Sequence, residues 1–435
     1  MAETTGPTVR LARNDEIAGA GALTAEAYLA DRLLDEDDEY EAQLRDATRR
    51  ARDAMLLVAT VPCEDSDGSQ TVVGTVTLAP YGTTYAEVAE PGELEVRMLA
   101  VAPRARGRGI AEALMRAALG YAVASGARRV VLSTLDSMVT AHRLYARLGF
   151  VAAPERDWGH EYVHLRVQTW TPPEPPGALV ESRTWPPLQV VEVDGWRVGV
   201  SGGLTRRANS ALLTGTPADP MGALDRIEQV YADAGLPSIV RTPRPVGSGG
   251  AGESTVVPPV CVEVAAMLDA RGYRTVSETD VLVRSLVGDP ALPGRLDLPG
   301  VRIEERDDPD DDWLALWLGA KDDSADRATG RAILTGVPAR YLSMTSTYDT
   351  SPVAVVRVTV TQDWAALSCL VVAGSARRRG LARALTLHAL HDARERGARR
   401  VFLQVEAHNQ AAAALYWGLG FEPADRYTYR QREAH

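Results

Sequence analysis

The sequence predicts a mixed α/β protein assembled from repeated strand, turn and helix units, and three observations carry that reading. First, two distant segments share one pattern. One reads MLAVAPRARGRGIAEALMRAALGYAVASGARRVVLST and later HRLYARLGF; the other reads CLVVAGSARRRGLARALTLHALHDARERGARRVFLQV and later AALYWGLGF. Second, strand-like runs alternate with helical ones, which implies a partly parallel sheet with helices on its faces. Third, the chain has 435 residues, more than one hydrophobic core usually serves, so two or three domains are expected.

The elements follow in order. Val9 and Leu11 alternate with polar neighbours from Thr8 to Arg13, and Asp15 then opens helical spacing through Ile17, Ala20, Ala27 and Tyr28. A second helix is expected from Asp38 to Ala54. Runs rich in β-branched residues at Met55 to Val61, Thr71 to Leu78 and Glu93 to Val101 read as strands. A helix (Ile110 to Ala124), a strand (Arg129 to Thr134), a helix (Thr140 to Leu148) and a strand (Glu161 to Trp170) complete a first domain, residues 1–170.

Prolines 172, 173, 175, 176, 186 and 187 make residues 171–187 a linker, because their number disfavours a helix or a central strand. A middle domain is expected over 188–290, interrupted by the Gly/Ser/Pro-rich stretch Pro243 to Pro259, and a carboxy-terminal domain over 291–435. The acidic run Asp307 to Asp312 should cap the apolar helix that begins at Trp313 and face solvent.

Composition narrows the partners. A net charge of −11 argues against nucleic acid and anionic membranes. Cys63, Cys261 and Cys369 lack the spacing of a zinc site or disulfide framework, so no metal is expected and a reducing cytoplasm fits. The first residues show no basic stretch followed by an apolar run, and no apolar run reaches about 18 residues, so neither secretion nor membrane insertion is expected.

The chemistry lies in the repeat. Gly109 and Gly380 end basic turns between a strand and a helix, where glycine permits unusual dihedrals and open amides with the helix dipole favour an anion. Arg104, Arg106 and Arg108 flank one turn, and Arg377, Arg378 and Arg379 the other. Tyr145 and Tyr416 follow the two glycines at equal separations. Such a tyrosine is either a buried helix aromatic or, at its ordinary pKa near ~10, a proton donor at neutral pH. A fainter echo, MLDARGY at Met267 to Tyr273, puts Leu268 where the tyrosine would stand; an Arg-x-x-Gly string, Arg244 to Gly247, precedes it.

The Arg-x-x-Gly-x-Ala pattern after a strand, with Asn409 and Leu415-Tyr416 downstream, resembles the GNAT superfamily of N-acetyltransferases. Residues 300–435, with the middle string GWRVGVSGGLTRRANS, resemble tandem members, among them N-acetylglutamate synthase-like ones and, more loosely, mycothiol synthase. The resemblance implies tandem GNAT folds: two with a turn for coenzyme A and a degenerate middle one packed against the third. It implies acetyl transfer from acetyl-CoA to the amine of a small amino-acid-like acceptor, with a peptide amine as the alternative acceptor. A further alternative makes one repeat a binding or structural unit without turnover. A homodimer is compatible with this reading.

By the same resemblance, pyrophosphate sits on Gly107, Gly109, Ile110 and Ala111 in one copy and Gly380, Leu381 and Ala382 in the other, with the flanking arginines. Pantetheine follows the backbone from Leu99 to Val101, or Leu370 to Val372, and Asn409 belongs to the second cofactor site. Tyr145 and Tyr416 would protonate the thiolate. Glu95, rather than Glu93, would take the amine proton in the first copy. Ala366 stands opposite Glu95 and Met138 opposite Asn409, so neither copy holds the whole set. Glu406, His408 or the middle region could supply a base to the second copy, while each also suits structure or solvent, as His142 suits a helix surface.

Overall fold

The computed structural model describes residues 6–34, 39–63, 70–160, 163–243, 259–288, 292, 298–320, 326–346 and 351–433. They fall into two compact units, 6–172 and 173–433. The Arg244 to Gly247 string and the side chain of Cys261 lie outside the described residues.

The first unit runs β1 (Thr8–Leu11), α1 (Ile17–Ala30), α2 (Glu39–Arg45), α3 (Ala47–Asp53), β2 (Met55–Pro62), β3 (Gln70–Pro80), β4 (Glu93–Val101), α4 (Ile110–Ser125), β5 (Arg129–Leu135), α5 (Val139–Arg147), β6 (Val151–Ala152), β7 (Trp158–His160) and β8 (Val163–Trp170). Its sheet has the order β1-β2-β3-β4-β5-β8-β6, with β7 paired to β8. Where one helix is expected over 38–54 there are two. The Asp46 carboxylate accepts from Arg49 N at 3.0 Å and so starts α3 afresh.

Helix α4 buries Leu114, Met115 and Ala118 against Leu78, Leu94 and Val130. It lies so close to β3 that a Cβ on Gly74 would meet Ile110 Cγ2 at 2.8 Å, which explains the glycine in a β-branched strand. Arg50 is fully buried, and its Nη1 and Nη2 donate to neutral oxygens: Leu44 O at 2.8 Å, Thr24 Oγ1 at 3.1 Å and Thr77 Oγ1 at 3.2 Å.

The second unit opens with α6 (Ala178–Thr184), inside the stretch expected to be a linker. The prolines flank this helix instead of interrupting it, and buried Glu181 and Thr184 tie it to the unit. Then come β9 (Gln189–Val193), β10 (Trp196–Val200), β11 (Ala211–Leu212), α7 (Pro220–Asp233), β12 (Ser238–Pro243), α8 (Pro259–Ala270) and β13 (Arg274–Ser285). The remainder is β14 (Val301–Arg306), α9 (Asp311–Gly319), α10 (Arg327–Thr335), β15 (Ala339–Ser346), β16 (Pro352–Thr361), β17 (Trp364–Val372), α11 (Leu381–Glu395), β18 (Arg400–Glu406), α12 (Gln410–Trp417) and β19 (Glu422–Arg432). The acidic run caps α9 through Asp310, which accepts from Trp313 N at 2.8 Å.

One sheet joins the middle and carboxy-terminal regions, in the order β14-β15-β16-β17-β18-β13-β19-β12-β11-β10-β9. Here the strands are exchanged. In the first unit β5 pairs with β8 from its own continuation, whereas β18 pairs with β13 from the middle region and β19 lies between β13 and β12. Each region therefore completes the other's sheet, while Trp196, Leu224, Ile227, Val240 and Leu268 form a core within the middle region.

Among the described residues, no helix is long and apolar enough to cross a membrane. No group of three or more His, Cys, Asp or Glu among them could hold a metal ion.

Candidate active site

Both sequence repeats place a β-bulge and a parting of strands immediately before the glycine turn. Met98 and Leu99 together oppose Val76, and Met98 takes φ 52°. Cys369 and Leu370 oppose Val356 in the same way, with Cys369 at φ 60°. A left-handed non-glycine residue costs on the order of 1 kcal/mol, so the same bulge in both copies is a maintained feature. Parallel pairing with the next strand stops just before it, at Val96 with Leu132 and at Leu367 with Leu403. The backbone from Leu99 to Val101 and from Leu370 to Val372 is thus paired on one side only, leaving polar groups open along a cleft.

The turns also match. A short 3₁₀ helix (Pro103–Ala105 or Gly374–Ala376) leads to two left-handed residues: Gly107 and Gly109 at φ 74° in the first copy, Arg378 at φ 61° and Gly380 at φ 76° in the second. Gly109 and Gly380 are the residues from which α4 and α11 start. The amides of Ile110 and Ala111, and of Leu381 and Ala382, have no acceptor among the described residues and point out of the helix start. Added side chains at Gly109 and Gly380 would meet nothing within 4 Å. Open amides, a helix dipole and exposed Arg104, Arg108, Arg377 and Arg379 form a cradle that fits a pyrophosphate. Arg106 is engaged elsewhere, bidentate on Asp31 at 2.7 and 3.0 Å.

Beyond the turns the copies differ. Tyr145 is only 4% exposed and packs on Phe150, and burial pushes its phenol up to about 12. Tyr416 packs edge-on against Phe421, and burial again pushes its phenol up to about 12, yet its side chain reaches a cavity of about 750 Å³. That cavity also meets Ser368, Cys369 and Leu370 on the bulged strand and Asn409 at the start of α12. Asn409 caps α12, accepting from Ala412 N at 3.1 Å; Met138 at the same place in the first copy makes no such cap.

The carboxylates are placed as follows. Glu95 is fully buried; its Oε2 accepts from the amides of Glu87 (2.8 Å), Val88 (2.8 Å) and Ala89 (3.1 Å), and Arg97 lies 3.6 Å from Oε1. Burial pushes its carboxyl up against the pull of those amides. Such a group anchors the loop over 87–89. Glu93 is also buried; burial alone would raise its carboxyl, but hydrogen bonds from Arg156 at 2.8 Å and Glu90 N at 3.0 Å hold it below the ordinary range. Glu406 lines the cavity of the second unit, 3.8 Å from Arg206, while His408 is exposed and 3.4 Å from Glu406. His142 lines a separate hollow of about 320 Å³ with Asp157 and Arg166.

Several cavity residues were not legible in the sequence. Ser277 and Thr279 come from β13, Tyr427 and Tyr429 from β19, and Trp185 with Arg207 from the start of the unit. Only the middle string GWRVGVSGGLTRRANS gave a signal, and it named no role.

The bulged strand, the parted neighbour and the glycine turn fit a GNAT fold, and residues 13–150 match the acetyltransferase (GNAT) family. The chain belongs to the family described as probable histone acetyltransferase Rv0428c C-terminal, which matches residues 180–430. It is 39% identical over 85 residues to the [Ribosomal protein bS18]-alanine N-acetyltransferase of Salmonella typhimurium, which is 20% of this chain and 57% of that protein. The chain thus spans little more than half the length of that curated relative. It is 47% identical over 57 residues to the mycothiol acetyltransferase of a Nocardioides species, 13% of this chain and 19% of that one. Among solved structures, a tandem GNAT protein from the clavulanic acid biosynthesis pathway aligns over 99% of this chain and 98% of its own, at 16% identity and a TM-score of 0.34.

Proposed function

We propose that this protein transfers an acetyl group from acetyl-CoA to the primary amine of a small amino-acid-like acceptor, and that turnover takes place in the cavity of the second unit. The observation that carries the proposal is the meeting, in one cavity, of the bulged strand at Cys369 and Leu370 with Tyr416 and Asn409. Coenzyme A would lay its pyrophosphate on Arg377 to Ala382 and its pantetheine along Leu370 to Val372. Open backbone amides there would polarise the thioester carbonyl and stabilise the oxyanion as the amine attacks. The amine nitrogen bonds to the carbonyl carbon, the C–S bond breaks, and Tyr416 gives its proton to the departing thiolate. The proton lost by the amine leaves toward Glu406 and solvent.

In this reading residues 1–170 are a GNAT domain that holds acyl-CoA without turning it over, 171–187 connect the units, 188–290 are a degenerate repeat and 291–435 the catalytic one. The burial of Tyr145 and the engagement of Glu95 by the loop amides support the non-catalytic reading of the first copy. The degenerate repeat is supported by α7, where Asp219 caps the helix, accepting from Gly222 N at 3.0 Å, and sets a carboxylate where the other copies present open amides. We place the protein in the cytoplasm, as suits three cysteines without the spacing of a disulfide framework.

The test is release of CoA thiol from acetyl-CoA with free amino acids, polyamines, aminosugars and peptide amines in parallel. Transfer to small amines supports the proposal. Transfer to peptides alone overturns the acceptor class, and binding of acetyl-CoA without transfer to any amine overturns the activity.

A further inference from the structure

The cavity of the second unit is not neutral. The charged side chains lining it among the described residues are Arg206, Arg207 and Glu406. Arg206 faces Glu406 at 3.8 Å, which leaves Arg207 as an excess positive charge; it makes no ion pair with any described residue. A cavity of this sign does nothing for a simple amine, whose ammonium form it repels. It suits an amine that carries its own anionic group.

Arg207 is also held in place. Asn209, 2% exposed, accepts from Ser201 N at 2.7 Å and Gly203 N at 3.0 Å and donates to Thr205 O at 2.8 Å, closing a loop whose glycines 202 and 203 take φ 65° and 79°. Thr205 accepts from Trp185 Nε1 at 3.3 Å, which fixes the indole that the guanidinium stacks on, 4.9 Å from the ring centroid. That contact holds the guanidinium over the indole, and its N–H groups, bonded to no described residue, are available to a carboxylate, which a guanidinium can take bidentately. Ser368 Oγ, buried on β17 and lining the same cavity, has no hydrogen-bond partner among the described residues and offers a further polar contact.

We infer that Arg207 is a specificity-determining residue that binds the carboxylate of the acceptor, so that the substrates are amino acids with a free carboxylate and not plain amines or carboxamides. The inference rests on the proposed acetyl transfer. It assigns a purpose to the TRRANS segment: the middle region supplies the acceptor clamp, and the carboxy-terminal repeat supplies the chemistry.

The experiment compares matched acceptors on the full chain: free L-amino acids against their carboxamides and the corresponding decarboxylated amines, each with saturating acetyl-CoA. The wild type should prefer the carboxylate form by about 10-fold or more in kcat/KM, the scale of one charge-assisted pair. Arg207→Gln should raise the acceptor KM about 10-fold or more with the KM for acetyl-CoA unchanged, and should erase the preference; Arg207→Lys should restore part of it. Equal use of acid and amide by the wild type overturns the inference while leaving acetyl transfer intact. A rise in the KM for acetyl-CoA instead would make Arg207 a cofactor contact and also overturn it. Absence of transfer to any amine, peptides included, would bring down the proposed activity and the inference with it. If the variant does not fold, the wild-type comparison alone decides.

Discussion

Replacing Tyr416 by phenylalanine separates chemistry from architecture, because the phenol oxygen has a catalytic assignment and no structural one. Its ring packs edge-on against Phe421 with centroids 5.7 Å apart, a contact phenylalanine retains. The hydroxyl has no hydrogen-bond partner among the described residues, so its removal strands no buried group, and stability should change by less than about 0.5 kcal/mol. As a general acid it should be worth ~100-fold or more in kcat. Burial pushes the phenol up to about 12. At pH 8 the ionised fraction is then on the order of 1 in 10,000, against about 1 in 100 for an ordinary tyrosine. The rate should therefore not fall between pH 8 and 10 through loss of this proton. The assay is CoA thiol release across pH, with thermal unfolding as control. An unchanged kcat in Tyr416→Phe, with an unchanged melting profile, would refute the general-acid assignment.

Other outcomes follow from single contacts. Glu95→Ala should cost about 2 to 3 kcal/mol by stripping three amides of their acceptor, with turnover unchanged per folded molecule; denaturant unfolding and the thiol assay together check this, and lost turnover in a stable variant would restore Glu95 as a base. Asp425 is raised to about 6, first by burial and then by repulsion from Glu181. Because its folded pKa lies above the unfolded one, it favours the fold at low pH and loses that contribution as pH rises through about 6. Asp425→Asn should accordingly stabilise the protein by about 2 kcal/mol at pH 8 and hardly at all at pH 3, as read from unfolding at the two values. Asp219→Ala removes the cap of α7 and should cost about 1 kcal/mol, measured by urea unfolding.

How much was legible in the sequence depended on whether a feature was local. The glycine turns, the helices behind them and Tyr145 and Tyr416 were readable because duplicated spacing ties each to its neighbours. Helix α6 was not, because prolines at its flanks look the same in a string as prolines in a linker. The bulges at Met98 and Cys369 leave no composition mark, since neither residue prefers a left-handed backbone. The exchange of β13 and β19 was out of reach: hydrophobic alternation specifies a strand but not which neighbour it pairs with. Glu95 shows the limit for side chains. Its place on the strand was read correctly, but burial and three loop amides, not sequence position, set its role.

The central claim is that one of two similar turns supports turnover, and exchanging a glycine for the carboxylate found in the middle repeat tests it. Gly380→Asp and Gly109→Asp each add a side chain into open space at a left-handed position that aspartate tolerates at a cost of about 1 kcal/mol. Each would set a negative charge against the pyrophosphate, a juxtaposition costing several kcal/mol. Measured as kcat/KM for acetyl-CoA in otherwise intact chains, Gly380→Asp should lose ~100-fold or more and Gly109→Asp should stay near the wild type; the opposite pattern would place the chemistry in the first unit and contradict the account.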